Sequence, residues 1–342
     1  MSRLKVSSGL PDLVKSTFAR ARSEGDLQYY PTQAAIIQVN HIPFQLRFSP
    51  ALANKPKPPP KDQTKPLKQF DPFANPAAAL HVIDLSPSHF LVLNKFAVVP
   101  EHFILATTEF KPQTHVLEED DLEATLACIQ AYEAAEHAEG GPGLQDSNRE
   151  KRDGLFAFFN CGEHSGASQA HRHIQLLPVA RMKDGLPADG HWSVLADRLS
   201  TRSAPFTTFA EKIILGMSAK DLHAAYLRLY RQACQAVATH SGSTRAEEEA
   251  PSEGETRISY NMAMTKDTLV ILPRLAEGSK IKGKGGQELG TLSLNGTVLA
   301  GTALVKTVAE WEALKNDPEG LLQVLKEIGL TDECAMGNSV RL

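Results

Sequence analysis

The sequence has no C-x-x-C pair among Cys128, Cys161, Cys234 and Cys334, so neither a disulfide framework nor a cysteine-based zinc site is signalled. It has no long hydrophobic run either. The most apolar stretch, His89 to Val99, is broken by Asn94 and Lys95 and falls far short of the roughly 18 apolar residues that a membrane span needs. The opening residues, MSRLKVSSGLPDLVKSTF, lack the apolar centre of a signal peptide, and their mixed charges make a poor transit peptide. Charge of one sign is also lacking. The 36 Lys plus Arg against 40 Asp plus Glu leave a net charge of −4, which gives no general attraction to nucleic acid or to an anionic membrane. Internal repeats and a regular βαβ rhythm are absent. The expectation is a soluble chain of the reducing cytosol or nucleus that meets any polyanion locally.

What is present is a globular composition, 342 residues with 42 % apolar and 22 % charged, enough for one enlarged domain or two ordinary ones. Leu10, Leu13, Val14 and Phe18 recur at helical spacing and stop at Gly25, predicting an opening helix. From Asn54 to Gln69 five prolines fix an extended chain while five lysines stay solvated, so this arm reads as a linker or lid, with contact to an anionic substrate as the alternative. His89 to Phe110 has the content of two strands separated by Pro100. Glu118 to Ala138 predicts a helix, 140–152 a loop, Leu155 to Asn160 a buried strand and His171 to Val179 a second strand. Ser218 with Asp221 caps a helix to about His240, and the polar, acidic stretch 241–257 reads as a mobile insertion. ISYNMAM and TLVILPR form a hairpin with Lys266 solvated in its turn, Val298 to Lys306 reads as a strand, and Thr307 with Glu310 caps a further helix. Phe156, Phe158 and Phe159 are expected in the core. GSKIKGKG, Gly278 to Gly285, nearly has P-loop spacing, but Gly285 stands where Ser or Thr would hold Mg²⁺, so a flexible basic loop is expected. Clustered strands and helices predict an α+β fold with an antiparallel sheet.

One unit carries chemistry: Asn160-Cys-Gly-Glu-His-Ser165-Gly-Ala-Ser168-Gln169-Ala-His171-Arg-His173-Ile-Gln175. On a strand, His171, His173 and Gln175 project from one face at steps of about 7 Å, while Ile174 and Leu176 point the other way. Ser165 to Gln169, a Gly-containing turn, offers hydroxyl, amide and backbone donors as a nest for phosphate oxygens. A neutral imidazole attacks phosphorus well, and the P–N bond formed is labile enough to pass the group on. A flanking His and Gln can orient the ring and donate to developing charge. Spacing alone leaves three readings open: this nucleophile, a zinc site completed by Cys161 and His164, and histidines satisfied structurally.

The run NCGEHSGASQAHRHIQLLP closely resembles the signature of the diadenosine tetraphosphate phosphorylases, or ATP adenylyltransferases. These form the transferase branch of the histidine-triad superfamily, with H-x-H-x-Q where the hydrolase branches have a third His. LNKFAVVPEHFILATTEF, DPF, SYNMAMTKD with ILPR, and LNGTVLAGTALVK match the same family in order, from about Lys55 to Lys306. The resemblance implies a histidine-triad-like antiparallel sheet flanked by helices and enlarged by extra strands and helices. Residues 1–205 would form the catalytic region and 206–342 a C-terminal region packed on the same site.

By the same resemblance His173 would be the nucleophile that takes AMP, His171 would support it, and Gln175 would bind phosphate and favour transfer over hydrolysis. Asn94, Lys95, Asn160, Gly166, Ala167, Ser168 and Gln169 correspond to nucleotide and phosphate contacts, and Lys55 to the lysine that opens the Pro-rich arm. Asn295, Gly296, Thr297, Thr302 and Lys306 correspond to a substrate-binding segment, with Thr302 where the family pattern has Met and Gly296-Thr297 in place of Ser-Leu. The implied substrates are diadenosine tetraphosphate, ATP, ADP and phosphate. A divalent cation, Mg²⁺, would come with the nucleotide rather than sit in a permanent protein site, and the chain would act as a monomer. Two rivals remain: a noncatalytic nucleotide-binding sensor, and a hexose-1-phosphate uridylyltransferase-like enzyme, which shares H-x-H-x-Q but not the DPF and SYN segments.

Overall fold

The computed structural model of the chain describes residues 4–54, 71–139, 153–188, 190–199, 204–242, 250–283 and 285–331. Lys55 with the Pro-rich arm to Gln69, the 140–152 loop and Cys334 lie outside the described residues.

Helix α1, Leu10–Glu24, buries the predicted stripe of Leu10, Val14 and Phe18 and ends at Gly25. After β1 (Gln28–Tyr29) comes a hairpin of β2 (Gln33–Val39) and β3 (Ile42–Phe48) that the sequence pattern left unassigned. β4 (His81–Ser86) leads into the His89–Phe110 segment, which makes three strands rather than two: β5 (His89–Leu93), β6 (Phe96–Ala97) and β7 (Phe103–Thr107). Asn94 and Lys95 break the first of these runs. Helix α2 spans Glu119–Glu139, and β8 spans Leu155–Cys161. β9 is His173–Pro178, so His171 stands outside the strand as a single bridge to Pro112, a correction to the expected His171 start. The reason lies in the neighbours. Arg172 donates its backbone N–H to the Lys111 carbonyl and Gln113 N–H donates to the Ala170 carbonyl, so residues 170–172 pair with the loop after β7 instead of extending β9.

The short α3 (Val179–Met182) and β10 (Phe209–Lys212) precede α4, Ala219–His240, whose cap is the expected one: the Ser218 hydroxyl accepts from the Asp221 backbone N–H at 3.1 Å. Of the 241–257 stretch, residues 243–249 lie outside the described residues. The far end is anchored rather than mobile, with the Gly254 carbonyl accepting from Val116 N–H at 2.8 Å and Thr256 N–H donating to the Thr114 carbonyl at 2.9 Å. β11 (Ser259–Met264) and β12 (Thr268–Arg274) form the predicted hairpin, and Lys266 in its turn pairs with Glu133 at 3.0 Å. Gly278 to Lys282 is not a loop. It is β13, paired with β14 (Glu288–Ser293), because Ile281 buries completely while Lys280 pairs with Glu288 at 2.7 Å on the outside. The strand expected over Val298 to Lys306 shortens to β15, Thr302–Val305. Gly296–Ala300 forms a 3₁₀ turn instead, started by the Asn295 side chain, which accepts from the Thr297 N–H and hydroxyl at 3.0 and 2.8 Å. α5 (Val308–Asn316) has a complete capping box from Thr307 and Glu310, and α6 (Glu319–Ile328) follows.

The α+β expectation holds. Eight antiparallel strands make one sheet in the order β10-β12-β11-β8-β9-β7-β5-β4, drawing strands from both sides of residue 205. One face is covered by α1, α2 and α4, burying Ala157, Phe159, Ile174 and Leu176 against Leu122, Ile129, Leu222 and Tyr226. The other face buries Phe156, Phe158 and Leu177 against a three-stranded sheet, β15-β3-β2, with α5 and α6 behind it. The three phenylalanines of β8 are therefore core residues, split between the two faces by the alternation of the strand. Among the described residues, no helix is long and apolar enough to cross a membrane.

Candidate active site

β9 lies in the middle of the sheet, where Phe103 to Ala106 of β7 face Leu176 to His173 and Leu155 to Phe158 of β8 face Pro178 to Gln175. The β8 ladder stops at Phe158 and Gln175. Beyond it the two strands separate, and the side chain of Gln113 spans the gap, donating to the carbonyls of Asn160 and His173 at 2.8 and 3.1 Å and accepting from His173 N–H at 2.8 Å. One side chain thus replaces the missing ladder bonds. The residue facing His173 across β7 is Ala106, which adds little bulk on that side.

His173 is 4 % exposed. Its Nδ1 lies 2.8 Å from the His171 carbonyl, which can only accept, so Nδ1 carries the proton and Nε2 keeps a free lone pair. Burial pushes this imidazole down to about 4, against the opposing pull of the His171 carbonyl, so it is neutral at cellular pH. His171 is held from both ends, with Nδ1 2.7 Å from an Asp71 carboxylate oxygen and Nε2 2.8 Å from the Thr107 carbonyl. Asp71 is itself fixed, because its other oxygen accepts from Phe73 N–H at 2.9 Å. Phe73 then packs on both rings, 5.1 Å from His173 and 5.6 Å from His171 between centroids. Phe110, 60 % exposed, stands edge-on to His171 at 5.3 Å and offers an apolar surface at the mouth of the site. Arg172, between the two histidines, points through the sheet to α2, where its guanidinium donates to Glu118 and Asp121 at 2.8 Å each.

The loop before β9 is braced from the C-terminal half of the chain. Asn261 donates to the Asn160 side-chain oxygen and to the Ser165 carbonyl, each at 2.9 Å. Arg274 donates to Asn261 and to the carbonyls of Ala276, Glu277 and Leu294, and burial brings its pKa down to about 10. Gly166 has φ +78°, and a Cβ there would lie 2.9 Å from the Asn295 Cβ, so glycine lets the loop before β9 touch the late segment. Gly296 N–H donates to the Asn160 oxygen at 2.8 Å, and a Cβ on it would sit 2.6 Å from the Phe158 ring. Asn160 therefore spends its side-chain oxygen on the fold. Ser165 is buried and closes its own turn, while Gly166, Ala167, Ser168 and Gln169 are exposed to half-buried at the site.

Of the residues expected in the site, His171, His173, Gln175, Asn160, Gly166 to Gln169, Asn295, Gly296 and Thr297 come together. Asn94 is turned inward, accepting from Phe96 N–H at 2.9 Å and donating to His102 at 3.2 Å, and Lys95 is exposed beside it. Thr302 is spent on Gln45 in the second sheet, and Lys306 is exposed next to the α5 cap, so no described contact ties either to the histidines. Asp71, His102, Thr107, Gln113, Asn261 and Arg274 were not singled out from sequence. Four of them sit in the DPF, PEH, SYN and ILPR segments, and polar groups inside otherwise apolar strand patterns were the available signal. No group of three His, Cys, Asp or Glu placed to hold a metal occurs among the described residues. The Cys161 thiol is buried against Thr256 at 3.3 Å, and burial pushes it up to about 12.

With this geometry established, comparison with known proteins is specific. The model of the Ap4A phosphorylase N-terminal domain matches residues 2–152 and 148–189, and that of the ATP adenylyltransferase C-terminal domain matches 202–331. The chain is 28 % identical over 337 residues to diadenosine 5′,5‴-P1,P4-tetraphosphate phosphorylase 2 of Saccharomyces cerevisiae, covering 95 % of each. It is 23 % identical over 344 residues to Protein APA1 of the same yeast, covering 95 % of this chain and 96 % of that one. Among solved structures, yeast Ap4A phosphorylase Apa2 superimposes with a TM-score of 0.68 at 25 % identity, over 94 % of this chain and 97 % of that one. The same enzyme in complex with Ap4A gives a TM-score of 0.65 at 26 % identity, with the same coverage of both chains.

Proposed function

The chain belongs to the Ap4A phosphorylase family of ATP adenylyltransferases, and from that premise we propose that His173 is the nucleophile of a two-step adenylyl transfer. The reaction is the reversible phosphorolysis of diadenosine tetraphosphate (Ap4A) to ATP and ADP. In the first step Nε2 of His173 attacks the α-phosphorus, an N–P bond forms, and the P–O bond to the polyphosphate breaks with its electron pair leaving on ATP. In the second step an oxygen of inorganic phosphate attacks the same phosphorus and the P–N bond breaks, giving ADP and the free imidazole. The observation that carries this reading is the bond from Nδ1 of His173 to the His171 carbonyl, which fixes one tautomer and aims the lone pair of Nε2 outward. The lowered pKa of the ring keeps that lone pair available.

Gln175 and the backbone of Gly166 to Gln169 supply neutral donors to the phosphate oxygens, and Asn160 adds its amide nitrogen. A Mg²⁺ ion is proposed to arrive with the polyphosphate and to be held by its oxygens. Product analysis tests the reaction: ATP plus ADP should appear from Ap4A only when phosphate is present. AMP plus ATP in plain buffer would mark a hydrolase instead.

Gln175→His tests the role of the glutamine. A third imidazole on the strand face can exchange a proton with an entering water, which an amide cannot. ADP formation should fall and AMP release rise when both are followed in one reaction at varied phosphate. An unchanged ratio of AMP to ADP would place the preference for phosphate in the loop of Ser168 and Gln169.

A further inference from the structure

His102 lies one residue before β7. In the β7 and β9 register Phe103 faces Leu176 and Ile104 faces Gln175, so His102 and Gln175 are diagonal neighbours on the sheet face that also carries His173. The side chain is 8 % exposed. Because the Asn94 oxygen already accepts from Phe96 N–H, it is the Asn94 amide nitrogen that turns to His102 and donates to Nδ1. With Nδ1 accepting, the neutral ring carries its proton on Nε2. That Nε2 is buried and has no hydrogen-bond partner among the described residues.

A buried donor without a partner is costly and uncommon in native proteins. Here it sits beside the phosphate-handling residues rather than in an apolar core. Burial pushes the His102 imidazole down to about 4; a side-chain interaction with Gln175 opposes that shift, and the nearby His173 ring adds to it. At neutral pH the ring is therefore uncharged, able to donate a hydrogen bond and unable to act as a proton source.

We infer that His102 is a further catalytic residue of this reaction, its Nε2–H donating to a nonbridging oxygen of the phosphate carried on His173, beside the amide of Gln175. The inference rests on the reading of His173 as nucleophile. Negative charge on those oxygens grows as phosphorus becomes five-coordinate, so a donor already in place stabilises the transition state more than the bound substrate. The same contact supplies the partner that Nε2 lacks. Asn94 acts through His102, fixing the tautomer that presents the proton.

The test is the rate of AMP transfer to His173, followed by rapid quench and intact-protein mass, in His102→Phe and His102→Gln. Phe fills a similar volume without the donor, and Gln returns an N–H near the same point. Adduct formation should slow about 100-fold in His102→Phe, with KM for Ap4A changed less than about threefold, and should recover in part in His102→Gln. The melting temperature should be unchanged or higher, because an unsatisfied donor has been removed. If Phe is not accommodated, His102→Leu carries the same comparison. A folded variant without the donor that forms the adduct at the wild-type rate overturns the inference. So does a lowered melting temperature with a rate loss that Gln does not repair, which makes His102 a packing residue. If the wild-type chain forms no adduct at all, the His173 reading fails and takes the inference with it, and this control separates the two failures.

Discussion

His173→Ala is expected to lower phosphorolysis of Ap4A by at least about 10⁴-fold, because the variant has no atom that can hold AMP between the two half-reactions. Nucleotide affinity should change little. The contacts proposed for the substrate come from the phosphate loop, Asn160 and Gln175, and the nucleophile lowers the barrier rather than the ground state. Intact-protein mass after incubation with Ap4A should show an acid-labile AMP adduct in the wild type and none in the variant. The wild-type rate of adduct formation should also stay level as pH falls through 6.5, where an ordinary histidine loses its lone pair, and decline only as pH nears the lowered value of about 4 for His173. A decline centred near 6.5 would show that burial does not control this imidazole.

Arg172→Ala is expected to destabilise the fold by about 3–5 kcal/mol, the usual consequence of removing one partner from a buried ion pair. Arg172 and Asp121 are both buried, and His89 donates to the second oxygen of Asp121 at 3.0 Å, so the carboxylate would lose its cation without gaining water. Burial by itself raises the Asp121 carboxyl, yet the bond from His89, the Arg172 charge and the Glu118 backbone N–H together hold it below the ordinary carboxylate range. The sign of the pH effect follows from that depression. Stability contributed by Asp121 is full above the ordinary aspartate value and is lost as pH falls through the depressed one. In the variant the carboxyl rises, so the folded chain takes up this proton at higher pH and is relieved of the buried unpaired charge as pH falls. Urea unfolding at pH 7 and at pH 5 should give a larger deficit at pH 7, where the unpaired carboxylate is fully ionised. A deficit under about 1 kcal/mol at both pH values would mean that the network under the catalytic strand is replaceable. Activity should fall as well, since Arg172 anchors the backbone between His171 and His173 to the start of α2.

The residues legible in sequence share one property: their signals are short in range. The H-x-H-x-Q spacing, the Gly-containing turn before it, the Ser218 and Thr307 caps and the helical stripe of α1 each depend on residues within a few positions of one another, where backbone geometry is dictated locally. The wrong expectations came from the same local signals once a distant partner overrode them. His171 reads as strand until the loop after β7 takes its neighbours, and the Gly278 segment reads as loop until β14 and the buried Ile281 make it a strand.

What only tertiary structure decided is which polar groups meet. Asp71 reaches His171 across 100 positions, Asn261 reaches Asn160 across 101, and Gln113 spans the opening between β8 and β9 from a loop with no pattern of its own. No periodicity encodes such pairs, because a hydrogen bond between side chains depends on where two strands are laid side by side, and that placement follows from burying apolar faces rather than from the polar residues themselves. The sequence by itself set the H-x-H-x-Q spacing and the Gly-containing turn before it. The packing of two cores on opposite faces of one sheet decided that His173 would be buried, neutral and held in one tautomer, and placed His102 on the same sheet face.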